Sequence, residues 1–187
     1  MDPHAIERPS SWVERFAPLI PRRTNGWALD LACGRGRHVR LLRAHGLAVV
    51  ALERDPAALA AIADDAVEKV AADLETDGWP FGERRFDGIV IANYLHRPLF
   101  PALARALSPG GILIYETFAR GNERFGRPRN PNHLLEPGEL LAAFGALHVI
   151  AYECGALGGE RPRVVARLCA ARSGTPAEAA TFALNTG

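Results

Sequence analysis

The stretch Trp27-Ala-Leu-Asp-Leu-Ala-Cys-Gly-Arg-Gly-Arg-His38 decides how this chain is expected to fold. Apolar residues around Asp30 predict a buried strand, and Gly34 and Gly36 predict a tight turn directly after it. A helix is predicted to follow over residues 37–45. Because glycine has no Cβ, such a turn lets a ligand approach the backbone closely. The stretch therefore predicts a cradle for a nucleotide-like cofactor.

The size and composition of the chain are those of one globular domain. Its 187 residues are 48% hydrophobic and 23% charged, which predicts a single core rather than two domains or a disordered chain. The formal net charge of +1 argues against a surface that binds nucleic acid through bulk charge. No apolar run is long enough to predict a membrane span or a signal peptide. Three widely spaced cysteines predict a reducing, cytoplasmic location and no zinc site: Cys33, Cys154 and Cys169.

Apolar strands alternate with helices along the chain. Strands are predicted at 29–31, 47–52, 67–72, 86–92, 112–115, 147–153 and 163–170. Helices are predicted at 10–16, 37–45, 56–63, 99–107 and 137–144. This order indicates an α/β fold with a mostly parallel sheet covered by helices on both faces. The predicted division is an N-terminal helical segment (1–26), the main domain (27–172) and a loose tail (173–187).

Acidic residues stand at the predicted ends of the second and third strands. A glutamate in the position of Glu53 can accept hydrogen bonds from both hydroxyls of a ribose. At the next strand end, Asp73 can accept a hydrogen bond from an adenine amino group, and Leu74 can pack on the ring. Since ligands of such sheets bind beyond the carboxyl ends of the strands, these residues and the glycine turn predict an adenosine pocket.

The residues of this pocket carry a family resemblance. Leu29-Asp-Leu-Ala-Cys-Gly-Arg-Gly36 and Ala51-Leu-Glu-Arg-Asp-Pro56 resemble motifs I and II of the class I S-adenosylmethionine-dependent methyltransferases. Later landmarks follow in the same order: Asp73-Leu74, Phe86-Asp-Gly-Ile-Val-Ile-Ala-Asn93 and Leu107-Ser-Pro-Gly-Gly111. The resemblance covers roughly residues 27–116, and a weaker similarity to tellurite-resistance-type small-molecule methyltransferases continues through Glu136-Pro-Gly-Glu-Leu140. The chain departs from the family pattern at Glu53, where aspartate is commoner, and at Ala32, where many members have glycine.

The resemblance implies a Rossmann-like, doubly wound sheet of seven strands with S-adenosylmethionine as cofactor. It implies that Asp30 and the glycine turn line the methionine moiety, that Glu53 holds the ribose, and that Arg54 lies against the adenine. The cofactor-binding residues implied are Asp30, Ala32, Cys33, Gly34, Gly36, Glu53, Arg54, Asp73, Leu74 and Asn93. An NAD site is the alternative, but its fingerprint requires a third glycine where this chain has Val39.

The predicted catalytic residues follow the fourth strand, in Asn93-Tyr-Leu-His-Arg-Pro98. His96 is the candidate general base, Arg97 can hold an anionic substrate, and Tyr94 can contact the sulfonium or close a wall of the site. The alternative for Tyr94 and His96 is that they pack against and cap the next helix. The arginine-rich segment 117–135 is too long for an ordinary connection, so it is a candidate lid that recognises an acidic or polar acceptor.

Together these features predict an enzyme that transfers a methyl group by in-line displacement to a small molecule. Methyl transfer to RNA or protein, and a non-catalytic S-adenosylmethionine-binding domain, are the open alternatives. Four arginines in and after the glycine turn are expected to form a solvated face: Arg35, Arg37, Arg40 and Arg43. His38 is expected to bond the loop backbone rather than line the pocket. The acceptor and the oligomeric state are not predicted.

Overall fold

The computed structural model describes residues 8–159 and 161–174. Its strands are β1 (Trp27–Leu31), β2 (Ala48–Glu53), β3 (Glu68–Ala71), β4 (Phe86–Ala92), β5 (Leu107–Phe118), β6 (His148–Leu157) and β7 (Arg163–Ala171). Its α-helices are α1 (Ser11–Phe16), α2 (Arg37–Ala44), α3 (Pro56–Ala60), α4 (Phe100–Ala106) and α5 (Glu139–Ala143). All seven predicted strands are therefore present.

The strands form one sheet in the order β3-β2-β1-β4-β5-β7-β6. Strands β1 to β5 pair in parallel, whereas β7 runs antiparallel to both of its neighbours. The mostly parallel, seven-stranded sheet predicted from the sequence is confirmed. Because β7 is reversed, its first residue, Arg163, lies at the same edge of the sheet as the carboxyl ends of the parallel strands.

Helices cover both faces of the sheet, as predicted. On one face, Trp12 of α1 and Leu42 of α2 belong to a buried apolar cluster with strand residues such as Ile114. On the other face, Leu103 of α4 and Leu140 of α5 are buried in a second cluster. The side chains of β1, β2 and β4 are almost completely buried on both faces, which is typical of parallel sheets and leaves the strand ends as the place for a ligand.

Several elements differ in length from the prediction. Strand β5 begins at Leu107 rather than Ile112 because residues 108–111, predicted as a turn, stay in the sheet through an irregularity opposite Phe86 and Gly88. Helix α3 ends at Ala60 rather than Ala63. Beyond it, Asp64 accepts a hydrogen bond from the Ala66 N–H, and this local turn competes with the helix.

The segment 117–135, predicted to be irregular, has an ordered frame. It contains two short 3₁₀ turns, Asn122–Arg124 and Pro131–His133, and its ends meet where Ala119 bridges to Leu135. Inside the segment, the buried Asn122 side chain accepts a hydrogen bond from the Val164 N–H. The segment is therefore closed on itself and attached to β7.

The structure describes only part of each chain terminus. Residues 8–26 hold α1 and a 3₁₀ turn, Ala17–Leu19, whereas most of the predicted 173–187 tail lies outside the described residues. The longest helix in the described part has 8 residues, fewer than half of the roughly 20 that a bilayer requires.

Candidate functional site

The glycine turn after β1 is held to the end of β2 by one carboxylate. Glu53 accepts hydrogen bonds from the Gly34 N–H at 2.9 Å, the Arg54 N–H at 2.9 Å and the Asp55 N–H at 3.2 Å. A carboxylate has about four acceptor positions, so one remains for a ligand. Only 7% of Glu53 is exposed, which strengthens these charge-assisted bonds. The glutamate predicted to hold a ribose thus also shapes the turn beneath it.

Two residues at neighbouring strand ends adopt the left-handed backbone conformation that favours glycine. Ala32, after β1, has φ 55°, and Asn93, after β4, has φ 60°; they are the only such non-glycine residues in the described part of the chain. Each costs of order 1–3 kcal/mol, and strain of this kind clusters at functional sites. Cys33 beside them is buried and its thiol pKa is raised, so it is a packing residue rather than a nucleophile.

Asp30, the last but one residue of β1, is a buried acid with a free oxygen. It is 1% exposed, and its Oδ2 accepts no hydrogen bond among the described residues. Burial raises its pKa from 3.8 to about 7, although Arg37 and the Val39 N–H act in the opposite direction. Such an oxygen is suited to a cationic or hydrogen-bond-donating ligand group.

His38 lies beside Asp30, with its Nδ1 3.9 Å from Oδ1. Its Nε2 accepts a hydrogen bond from the Ser10 N–H at 3.1 Å, so His38 bonds the N-terminal segment rather than the glycine turn. Burial lowers its pKa to about 3, and the imidazole is neutral at physiological pH.

A matched pair of glycines tests the turn. Gly36 and Gly46 both have φ 76°, so alanine at either position carries a left-handed penalty of about 1–2 kcal/mol. A Cβ at Gly36 would also lie 2.8 Å from Cγ1 of the buried Ile62, whereas a Cβ at Gly46 meets nothing within 4 Å. In denaturant unfolding, we expect Gly36→Ala to be less stable than Gly46→Ala by about 1–3 kcal/mol. Equal losses would show that Ile62 moves aside without cost.

The predicted adenine-binding residues lie together at the end of β3. The Arg54 guanidinium is 4.0 Å from the Asp73 carboxylate, and Leu74 is buried beneath them. Burial raises the pKa of the Tyr94 hydroxyl to about 12, and the charges of Glu75, Asp73 and Glu53 act in the same direction, which places Tyr94 in the same region. Tyr94 therefore stays protonated at neutral pH and suits a wall of the cofactor site better than a base.

Arg97 is committed to protein contacts, which differs from the predicted anion-holding role. Its guanidinium donates twice to Glu139, at 2.6 and 3.0 Å, and also to the carbonyls of Asn132 and Leu134. These bonds use four of its five N–H groups. Arg97 thus fixes the 117–135 segment and α5 to the turn after β4. His96, half-buried next to it, is not part of this network of contacts.

A buried polar network that was not predicted from the sequence joins Ser10 to the sheet. The Ser10 hydroxyl donates to Glu116 at 2.9 Å, and Arg167 contacts the other Glu116 oxygen at 2.6 Å. Ser10 also caps α1 by accepting from the Trp12 N–H. Since Ser10 also bonds His38, the segment before α1 lies across the carboxyl ends of β1 and β5. The sequence contains one indication of this role: Ser10 directly precedes Ser11-Trp12, the start of α1, and serine is a common helix N-cap.

Arg37 does not belong to the solvated face predicted for its cluster. It is half-buried, whereas Arg35 and Arg40 are exposed, because Arg37 opens α2 directly beside the glycine turn. Its Nη1 donates to the Arg8 carbonyl at 3.1 Å. Arg37 therefore lies beside the candidate site, which corrects its predicted place on a solvated face.

Residues 28–111 match a family model described as a methyltransferase domain. Among curated proteins, the chain is 33% identical over 116 residues to the ribosomal protein L11 methyltransferase of Chelativorans sp. (strain BNC1). That match covers 56% of this chain and 40% of the relative, so the chain spans less than half the length of that protein.

Two solved structures illustrate the likeness of the fold. TehB from Haemophilus influenzae superposes with a TM-score of 0.66 at 14% identity, covering 80% of this chain and 59% of that one. An S-adenosylmethionine-dependent methyltransferase from Mesorhizobium loti gives 0.66 at 19% identity, covering 87% and 99%. Both share the seven-stranded architecture described above.

Proposed function

We propose that this chain, whose residues 28–111 form a domain of the class I S-adenosylmethionine-dependent methyltransferases, transfers a methyl group to a small molecule. The family and its cofactor were predicted from the glycine turn and the acids that follow it, and both predictions are confirmed. We infer a small-molecule acceptor because the carboxyl edge of the sheet is covered.

The observation that carries the acceptor class is the closure over the strand ends. Ser10 bonds both His38 and Glu116, which places the N-terminal segment over β1 and β5. From the other side, Arg97 holds residues 132 and 134 against the turn after β4. Coverage of this edge from two sides is suited to a small acceptor, and it also excludes water from the reaction.

The residues present fit the cofactor. Asp30 has a free, buried oxygen for the ammonium of the methionine moiety, and Glu53 keeps one acceptor position for a ribose hydroxyl. Arg54 and Asp73 are placed for the adenine. When bound, S-adenosylmethionine supplies a methyl group on a sulfonium, a leaving group that requires no protonation.

The chain's own contribution is mainly to position the acceptor and keep water out. Orientation alone can supply on the order of 7–11 kcal/mol. A general base adds roughly 10²–10⁴-fold when the nucleophile arrives protonated. His96 is the proposed base, because it is half-buried after β4 and stands in the sequence between Tyr94, near the cofactor residues, and Arg97, which contacts the 117–135 segment.

Replacing His96 tests the proposed base. We expect His96→Gln to lower kcat about 100-fold for an acceptor with a protonated nucleophile, while the dissociation constant of S-adenosylhomocysteine stays within about twofold. His45→Gln, after α2 at the opposite edge, is the matched control and retains full activity. An unchanged kcat in His96→Gln would remove this residue from the mechanism.

A protein acceptor is the second candidate, favoured by the similarity to the ribosomal protein L11 methyltransferase. Release of S-adenosylhomocysteine, measured with a panel of oxygen, nitrogen and sulfur nucleophiles and separately with ribosomal protein L11, distinguishes the two. We expect release with small nucleophiles and none with L11. Release with L11 alone would favour the protein acceptor, and binding of the cofactor without any turnover would favour a non-catalytic domain.

A further inference from the structure

Two arginine side chains bind the same pair of backbone carbonyls at the amino edge of the sheet, where the parallel strands begin and which lies opposite the cofactor site. Nη1 of Arg85 donates to the Arg105 carbonyl at 2.8 Å and to the Leu107 carbonyl at 3.3 Å. Nη1 of Arg172 donates to the same two oxygens, both at 2.8 Å. Because both nitrogens lie 2.8 Å from one oxygen, they are at most twice that distance apart. The two positive charges are therefore close neighbours.

Backbone contacts fix the place of both arginines. Arg85 directly precedes β4, which pairs with β5 on one side. On the other side of β5, Arg172 directly follows β7. The Arg172 N–H donates to the Gly111 carbonyl at 2.9 Å, and the Arg172 carbonyl accepts from the Gly110 N–H at 2.7 Å. The two side chains are thus brought together by the strands that flank β5.

No carboxylate of the described residues balances this pair of charges. None lies within 4 Å of either guanidinium. Asp87, near the start of β4, is held by Arg23 at 2.8 Å. Where Arg15 and Arg167 share one partner elsewhere in the chain, that partner is an acid, Glu153. At the amino edge the shared partners are neutral carbonyls, which leave the repulsion between the two cations uncompensated.

Each guanidinium of the pair keeps donors that no described residue uses. The two carbonyls account for both N–H groups of each Nη1, which leaves the Nε–H and the two N–H groups of Nη2. Together, Nε and Nη2 form a planar edge that can bind two oxygens of one oxyanion. A phosphate group carries about −1.5 to −2 charges at pH 7 and three strong acceptor oxygens. It therefore matches two such edges and two positive charges.

We propose that Arg85 and Arg172 form a binding site for a phosphate group at the amino edge of the sheet. Arg85 is exposed and Arg172 is half-buried, so the pair is open to solvent. A bound phosphate replaces the repulsion between the two cations with charge-assisted hydrogen bonds. It is either free inorganic phosphate or the phosphate of a small phosphorylated molecule. Because the cofactor residues stand at the other edge of the sheet, this inference does not depend on the proposed methyl transfer.

Urea unfolding of the full chain at increasing concentrations of phosphate measures binding at this site. A ligand that binds only the folded chain raises the free energy of unfolding, which gives the dissociation constant. Sodium chloride keeps the ionic strength constant, because salt screens exposed charges. Inorganic phosphate, glycerol phosphate and acetate would be compared on the wild-type chain, Arg85→Gln, Arg85→Lys and Arg172→Gln. Arg161→Gln, at an exposed arginine before β7 and at the other edge, controls for the change of net charge.

We expect both phosphates to stabilise the wild-type chain more than acetate does, and each glutamine variant to bind them about 10-fold more weakly or worse. Arg85→Lys keeps the charge but loses the planar edge, so we expect it to bind phosphate more weakly than the wild type. Arg161→Gln retains wild-type binding. Tighter binding of glycerol phosphate than of inorganic phosphate would identify a phosphorylated molecule as the ligand, and the reverse order would identify the free anion.

A purely structural role of the two arginines gives a different result. If they only bind the carbonyls of Arg105 and Leu107, the glutamine variants lose stability equally with and without phosphate. Arg85→Gln decides the matter even if Arg172→Gln does not fold, because Arg85 is exposed. Unchanged phosphate binding in Arg85→Gln, or no stabilisation of the wild-type chain by either phosphate, would overturn the site.

Discussion

Glu53→Gln raises the dissociation constant of S-adenosylhomocysteine about 10- to 100-fold. The amide retains the shape of the side chain, but one oxygen becomes an NH₂ group that cannot accept a hydrogen bond. In the wild-type chain, both oxygens are in use, one by the Gly34 N–H and the other by the Arg54 and Asp55 N–H groups. The amide can direct its oxygen toward only one of these two sets of donors, so the substitution opposes at least one backbone N–H and removes the charge that would bind the ribose hydroxyl.

The size of this effect follows from hydrogen bonds to charged groups, which are worth about 1.5–3 kcal/mol each. Losing the one bond to a ribose hydroxyl corresponds to about 10- to 100-fold in affinity. Calorimetric titration measures the effect, with Glu83→Gln as the control because Glu83 is exposed and distant from the turn. Wild-type affinity in Glu53→Gln would exclude the carboxylate from cofactor binding.

Asp30→Asn makes the ligand-free protein more stable at pH 8 and weakens its binding of S-adenosylhomocysteine. Burial raises the pKa of Asp30 from 3.8 to about 7, so between these values the folded chain holds a proton that the unfolded chain has lost. The contribution of Asp30 to stability therefore falls as pH rises through this range. Above pH 7, the ionised carboxylate costs the folded state up to roughly 4 kcal/mol, which asparagine avoids.

Cofactor binding favours the ionised form of Asp30, whereas folding favours its protonated form. An ammonium group close to the free Oδ2 of Asp30 stabilises the ionised form, so wild-type affinity for S-adenosylhomocysteine rises between pH 6 and pH 8. In Asp30→Asn we expect affinity to be roughly 30-fold lower at pH 8, with little dependence on pH. The difference in unfolding free energy between variant and wild type is measured by chemical denaturation, and we expect it to be smallest below pH 4, to grow through pH 5 and 6, and to be largest at pH 8.

Comparing the stability of Asp30→Asn with that of the wild-type chain at each pH separates the effect of Asp30 from that of its neighbour His38. Burial lowers the pKa of His38 to about 3, so protonation of the unfolded chain lowers stability as pH falls below 6.5. This contribution is the same in both proteins and cancels in the difference. Asp65→Asn, at an exposed acid, should match the wild type at every pH. If Asp30→Asn also matches it at pH 8, Asp30 is not a strained buried charge.

The sheet could be predicted from the sequence because its strands are apolar runs bounded by turn residues. Strand β4 lies at Phe86–Ala92, as predicted, since it is buried on both faces and its limits are marked by polar residues. Element ends were less accurate where local polar contacts decide them. The Asp64 turn that shortens α3 depends on a single side chain, and hydrophobic periodicity does not detect it.

The candidate site was predicted only where its residues are close in sequence to the strands that position them. The glycine turn, Glu53 and Asp73 each follow a strand directly, so their meeting at one edge followed from the parallel order. Ser10 and Glu116 are 106 residues apart, and their hydrogen bond depends on how α1 packs across the sheet. Arg97 likewise meets Glu139 through packing of α5, which no local pattern encodes.

Titration of the wild-type chain with S-adenosylhomocysteine and, separately, with NADH tests most directly whether the edge of the sheet is a methyl-donor site. We expect one S-adenosylhomocysteine to bind per chain, with Glu53→Gln binding at least about 10-fold more weakly, and we expect no binding of NADH. Binding of NADH together with no binding of S-adenosylhomocysteine would contradict the assignment of this site.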